Sequence, residues 1–300
     1  MKKKTYLIAL MAMALTLGSC SDNENGIGGE TSKYITVSTS IGNMTRVATD
    51  AKGGQTFEEG DEISVYAWTG DATIAPDASE RVVNNAINKL TNGSWVSTPQ
   101  MLWKNNRDKH YFIGVYPTAA ISDLSAGEYT FDANKQTESD LLVAVNKDGL
   151  SYNADAQQTV PLTFTHVMAK LVVNLTYKNQ WGGIPTVEKV AVGNAAKEAT
   201  INYLTKVVTP STTAKEDFSL PEITENTKYV SVIIPQEDVK QLTIVIGGKN
   251  FVYDNGTPFK LESGKITTVN LEVGRDEIKL GDVKITNWED GSTFSGEALN

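Results

Sequence analysis

The run from Pro161 to Tyr177 constrains the chain more than any other. Leu162, Phe164, His166 and Met168 share one parity, whereas Ala169, Leu171, Val173, Leu175 and Tyr177 share the other. Successive side chains of a strand point to opposite faces, so one regular strand cannot bury both sets. The pattern predicts a bulge near Met168 in a long bent strand that runs from the edge of a sandwich toward its corner. Period-two runs recur along the chain, broken by Gly, Asn, Asp and Pro, and almost no 3.6-residue apolar stripe accompanies them. The fold class is therefore all-β.

Other strands follow from the same pattern. In residues 34–41, Ile35, Val37 and Ile41 share a face opposite Ser and Thr. In residues 63–68, Ile63, Val65 and Ala67 stand opposite Tyr66 and Trp68. Further candidates are 95–96, 111–116, 129–131, 141–145, 187–192, 200–203, 229–234, 242–246, 251–253, 265–273 and 278–288. Residues 77–90 give the best helical candidate. Gly247-Gly248 and Asp254-Asn255-Gly256 read as hairpin turns. The turn residues of 178–185 place a domain boundary there, giving β-sandwich domains over 34–178 and 179–300.

The N-terminus reads as an address. Lys2, Lys3 and Lys4 precede an apolar run over 6–17, the layout of a cleaved signal peptide (residues 1–19). Twelve apolar residues are too few to span a bilayer. Cys20, the sole cysteine, ends Leu17-Gly18-Ser19-Cys20, which resembles the bacterial lipoprotein box and makes Cys20 the candidate for acylation. Residues 20–33 are polar and glycine-rich, a flexible linker that cannot pack into a core. The acidic Ser21-Asp22-Asn23-Glu24 resembles export signals that direct lipoproteins to the outer face of the outer membrane.

Charge and residue usage exclude several functions. The chain carries a formal charge of −9, more negative still once the three N-terminal lysines are set aside, which argues against nucleic acid. Membrane association is then left to the acyl anchor rather than to a basic patch. A single cysteine allows neither an internal disulfide nor a thiolate zinc cluster. Of two histidines, His166 alternates in phase with core residues and His110 reads as a solvated turn residue. Neither suits a general base, and no Gly-x-Ser-x-Gly, phosphate-binding glycine loop or His-Glu-x-x-His is present. Asp132, Asn134, Glu138 and Asp140 have calcium-binding chemistry but lack the loop glycine and ligand spacing, so they read as a solvated turn. No catalytic residue, metal site or cofactor is expected. Trp68, Trp95, Trp103, Trp181 and Trp288 lie in or beside strands, where burial explains them, although a surface lipoprotein can also stack sugars on tryptophan.

Five segments in order resemble the fimbrillin-like proteins of Bacteroides-type bacteria. They are Met44-Thr45-Arg46, the run from Phe57 to Tyr66 (FEEGDEISVY), the run from Leu162 to Leu171 (LTFTHVMAKL), Ile233-Ile234-Pro235-Gln236 and Ile285-Thr286-Asn287-Trp288. The resemblance spans the chain. It implies a subunit of type V pili with two β-sandwich domains in a transthyretin-like arrangement, delivered to the outer membrane as a lipoprotein. It also implies cleavage after a basic residue near the N-terminus, here between Arg46 and Val47, followed by polymerisation through strand exchange. The implied partners are other fimbrial subunits, the outer membrane before maturation, and a host or bacterial surface ligand.

Residue chemistry is compatible with that mechanism. A cut after Arg46 removes the strand carrying Ile35, Val37 and Ile41, each worth roughly 1.5 to 3 kcal/mol when buried, against the ~5 to 15 kcal/mol that holds a domain folded. The vacated groove then needs another strand. The candidate donor is 278–288: Ile278 and Leu280 share a face, Gly281 interrupts, and Val283 and Ile285 resume in the other phase before Trp288. The same run also reads as the docked last strand of the second domain. The alternative for the whole protein is an anchored surface lipoprotein that binds glycans.

Overall fold

The computed structural model describes residues 33–42, 56–136, 139–153 and 158–288. Nineteen strands form among them. They are β1 (Thr36–Ile41), β2 (Glu62–Thr69), β3 (Val83–Thr91), β4 (Ser94–Thr98), β5 (His110–Tyr116), β6 (Gly127–Thr130), β7 (Leu142–Leu150), β8 (Thr159–His166) and β9 (Ala169–Tyr177). Then come β10 (Val187–Ala196), β11 (Glu198–Asn202), β12 (Val207–Pro210), β13 (Lys215–Ser219), β14 (Glu222–Thr224), β15 (Lys228–Ile233), β16 (Gln236–Ile246), β17 (Lys249–Leu261), β18 (Lys265–Val273) and β19 (Ile278–Asn287). The all-β expectation holds.

The parity change at Met168 marks a change of sheet. β8 lies in a seven-stranded sheet of order β1-β8-β7-β5-β2-β3-β4, and β9 lies at the centre of a five-stranded sheet of order β14-β15-β9-β18-β19. The chain crosses over at Val167 and Met168, both buried, so each run can turn its apolar parity to a different core. Two strands therefore replace the single bent strand expected there. The crossover precedes the division placed at 178/179 by one strand, because residues 169–177 pair with β15 and with β18.

Alternation in β2 separates two cores. Ile63, Val65 and Ala67 pack with Ile35, Val37, Ile41, Phe112, Leu162 and Phe164 in the concavity of the seven-stranded sheet. Tyr66 and Trp68, on the opposite face, join Ile113, Val115 and Val143 in a larger core that also contains Leu171, Val173, Leu242, Ile244, Val269 and Leu271. These last residues come from the five-stranded sheet and from the four-stranded sheet β13-β10-β16-β17. A three-stranded sheet, β12-β11-β6, pairs β6 of the first half with β11 of the second.

Two turn expectations divide. Gly247 and Gly248, at φ 58° and 72°, form the two-residue turn between β16 and β17, where left-handed backbone suits glycine. Asp254-Asn255-Gly256 is not a hairpin but lies inside β17. There the register runs from Gln241↔Asp254 to Val239↔Phe259, so the extra residues on β17 form a bulge. The helix expected over 77–90 is also corrected, because residues 83–91 are β3. Asn85, at φ 59°, lies in a bulge that places Ala86 opposite Val65 and Val83 opposite Ala67, so both point inward. Their three-residue spacing imitates one turn of an amphipathic helix.

Candidate functional site

The strands nearest the two ends of the described chain both lie at sheet edges. β1 pairs in parallel with β8, from Thr36↔Thr159 to Ile41↔Phe164. Ile35, Val37 and Ile41 are 2%, 6% and 8% exposed, the inward face expected from their spacing. Its polar face makes light contacts, among them Thr36 Oγ1 with Thr159 Oγ1 at 3.2 Å and Ser40 Oγ to Thr163 Oγ1 at 3.2 Å.

On its other side β1 faces β4, the opposite edge of the same curled sheet, across a cleft of about 580 Å³ lined also by Phe57, Leu90 and Trp95. Trp95 Nε1 donates to Thr39 Oγ1 at 3.0 Å, a side-chain bridge where a closed barrel would have a ladder. Just before β1, Ile35 N–H donates to the Met101 carbonyl at 3.0 Å, and Trp103 N–H donates to that of Lys33 at 3.2 Å. β1 is thus a stave held firmly by its apolar face and by one full ladder. Removing it would uncover the inner core along β8.

β19 is held differently. It pairs antiparallel with β18, and the ladder slips one residue between Asn270↔Asp282 and Leu271↔Leu280, which makes Gly281 the bulge. The slip cancels the phase change read in the sequence. Ile278, Leu280, Val283 and Ile285 stand opposite Val273, Leu271, Val269 and Thr267, all buried, so all four share the core side of the sheet. Yet Leu280, Val283 and Ile285 remain 36%, 38% and 39% exposed. The sandwich does not close over its last strand.

Trp288, just past β19, is the exception at 4% exposed. It stacks on His166, whose Nδ1 lies 2.9 Å from an oxygen of Asp140. His166 sits at the core margin, as its phase suggested. His110 does not match its reading as a solvated turn residue, because it is fully buried. Its Nε2 accepts from Lys104 N–H at 3.0 Å, its Nδ1 faces the Asp108 carbonyl at 3.1 Å, and its ring meets Trp103 edge-on. That geometry requires the neutral Nδ1–H tautomer, and burial holds the imidazole below its ordinary pKa. Both nitrogens are committed to structure.

Asp132 caps a turn through Asn134 N–H and Asp140 pairs with His166, while Glu138 lies outside the described residues. Among the described residues no group of three potential metal ligands is present. No tryptophan is exposed: Trp68, Trp103 and Trp288 are buried, and Trp95 and Trp181 are half-buried with their indole N–H groups bonded. Cys20, Arg46 and Val47 lie outside the described residues.

A model of the family described as fimbrillin-like matches residues 45–288. The chain belongs to the fimbrillin-like family. Among its relatives is Fim1C of Bacteroides uniformis, named as a proposed fimbrium subunit, 24% identical over 97% of both chains. A proposed cell adhesion protein from Bacteroides uniformis has a similar crystal structure, with a TM-score of 0.64 at 18% identity over 86% of this chain and 100% of that one. The tip fimbrial protein Mfa3 of Porphyromonas gingivalis is similar at a TM-score of 0.50 and 12% identity, over 77% of this chain and 95% of that one. This fimbrillin-like chain shares the fold of those structures, and its family is structural rather than enzymatic.

Proposed function

We propose that this fimbrillin-like protein is a structural subunit of a fimbrium, exported as a lipoprotein acylated at Cys20, cut between Arg46 and Val47, and assembled by strand exchange that supports adhesion. The observation that carries the reading is the seating of β1. It is an edge strand with one ladder and two buried apolar side chains, Val37 and Ile41, a third, Ile35, is buried just before it, and Arg46 follows it by five residues. A cut there detaches β1 together with any anchor at Cys20. Three such side chains are worth roughly 4.5 to 9 kcal/mol of apolar burial together, a large part of the ~5 to 15 kcal/mol typical of a whole domain.

The exposed groove beside β8 then offers unpaired backbone and an apolar floor to an extended segment of another subunit. β19 supports the donor role because it lies at a sheet edge and turns four apolar side chains to one face, three of them more than a third exposed. The partners are accordingly other fimbrial subunits, and the location is a cell-surface appendage reached by way of the outer membrane. Treating the purified chain with a trypsin-like protease tests this. A clean cut after Arg46 should convert monomer into multimers that resist dissociation, and persistence of monomer after that cut would overturn the reading.

A further inference from the structure

Two of the segments that carry the family resemblance meet at one point. His166, ending β8, and Lys170, in β9, come from one segment, and Trp288 comes from the other. The His166 and Trp288 rings are stacked with centres 4.1 Å apart and planes 8° apart, and Lys170 Nζ lies 5.0 Å over the indole. Asp140 fixes the imidazole through Nδ1, while Nε2 is buried with no hydrogen-bond partner among the described residues. The ring therefore meets the terminal segment with its face, not with a nitrogen. Burial holds the Lys170 ammonium below its ordinary pKa, and a partly desolvated cation over indole is the stronger form of that contact.

We propose that His166 and Lys170 form an indole-binding notch, filled here by Trp288, and that this contact holds the terminal strand against its sheet. Beyond the backbone ladder to β18, side chains hold the rest of β19 only weakly. Its apolar side chains are incompletely covered, and its polar side-chain links, such as Lys265 with Asn287 and Asn270 Nδ2 to Asp282 Oδ1 at 2.6 Å, are exposed to water, where they contribute little. Trp288 alone is deeply seated, and Trp288 N–H donates to the Gly264 carbonyl at 3.0 Å. An indole buries roughly 150 to 250 Å² when fully packed. Emptying the notch frees the strand, and a second copy's Trp288 has the chemistry to refill it. That consequence for assembly rests on the function proposed above, whereas the notch does not.

Hydrogen exchange of the full chain separates the two. In Trp288→Ala, amides of β19 should exchange at least tenfold faster, with β9 and β15 unchanged. Free indole at millimolar concentration should raise the melting temperature of that variant and not of the parent, whose notch is full. It should leave β19 exchanging fast, because an untethered ring cannot hold the strand. Unchanged exchange in β19, a uniform increase throughout the sheet, or an equal indole effect on both proteins would overturn the proposal. If Trp288→Ala does not fold, His166→Phe should keep β19 protected and His166→Ala should not, and equal protection in the two would refute the notch. Normal multimer formation by a trimmed chain lacking β19 would count against the donor reading alone.

Discussion

Val283 stands directly opposite Val269 across the β19–β18 ladder, and Val283 is 38% exposed whereas Val269 is fully buried. One residue type in one register thus has two environments. Val269→Ala removes core packing and should cost about 2 kcal/mol or more, whereas Val283→Ala should cost less than about 1 kcal/mol. Urea unfolding of both variants checks the difference, and equal losses would show that β19 is as firmly packed as β18.

Gly281 carries the register of the terminal strand. Deleting it should close the bulge and leave Ile278, Leu280, Val283 and Ile285 in one unbroken parity facing the core. The deletion should therefore keep β19 on its sheet and Trp288 on His166. Tryptophan fluorescence and exchange of the β19 amides both report this, and release of β19 or displacement of Trp288 would contradict the assigned bulge.

His110 links stability to pH. Its folded pKa lies below the unfolded value near ~6.5, so the unfolded chain binds the proton more readily. Its contribution is fully present above the unfolded value and is lost as pH falls through the folded one. The stability difference between the parent and His110→Gln should therefore shrink as pH drops below about 6.5. Denaturation midpoints of both proteins from pH 7.5 to 5 measure it, and a difference that widens on acidification would reverse the assignment.

Legibility followed periodicity. Ile35, Val37 and Ile41 keep one parity, shared by the polar Thr39, and the structure buries all three. The alternation of Ile63 to Trp68 even separated two cores, because each parity of β2 faces a different one. Bulges hid the rest. The irregularity at Asn85 gave β3 a helical spacing, and the extra residues at Asp254-Asn255-Gly256 looked like a turn because bulges and hairpins draw on the same residue types. Gly281 did announce its interruption, but a phase change in sequence does not say that the ladder will slip to undo it. His110 was misread because polar neighbours, Arg107, Asp108 and Lys109, signal a loop without showing what folds over it. The stack of Trp288 on His166 joins residues 122 positions apart, and no periodicity or spacing in the sequence linked them.

Cross-linking between subunits tests the strand-exchange account most directly. Once residues through Arg46 are removed no native thiol remains, so chains carrying Thr163→Cys on β8 and chains carrying Lys284→Cys on β19 can be trimmed, mixed and joined by a short bismaleimide. Both positions are exposed in the monomer. The account predicts multimers in which the β8 cysteine of one chain is linked to the β19 cysteine of another, and no such link in untrimmed chains, where β1 occupies the edge of β8. Multimers without that link, or trimmed chains that stay monomeric with β19 still protected, would contradict it.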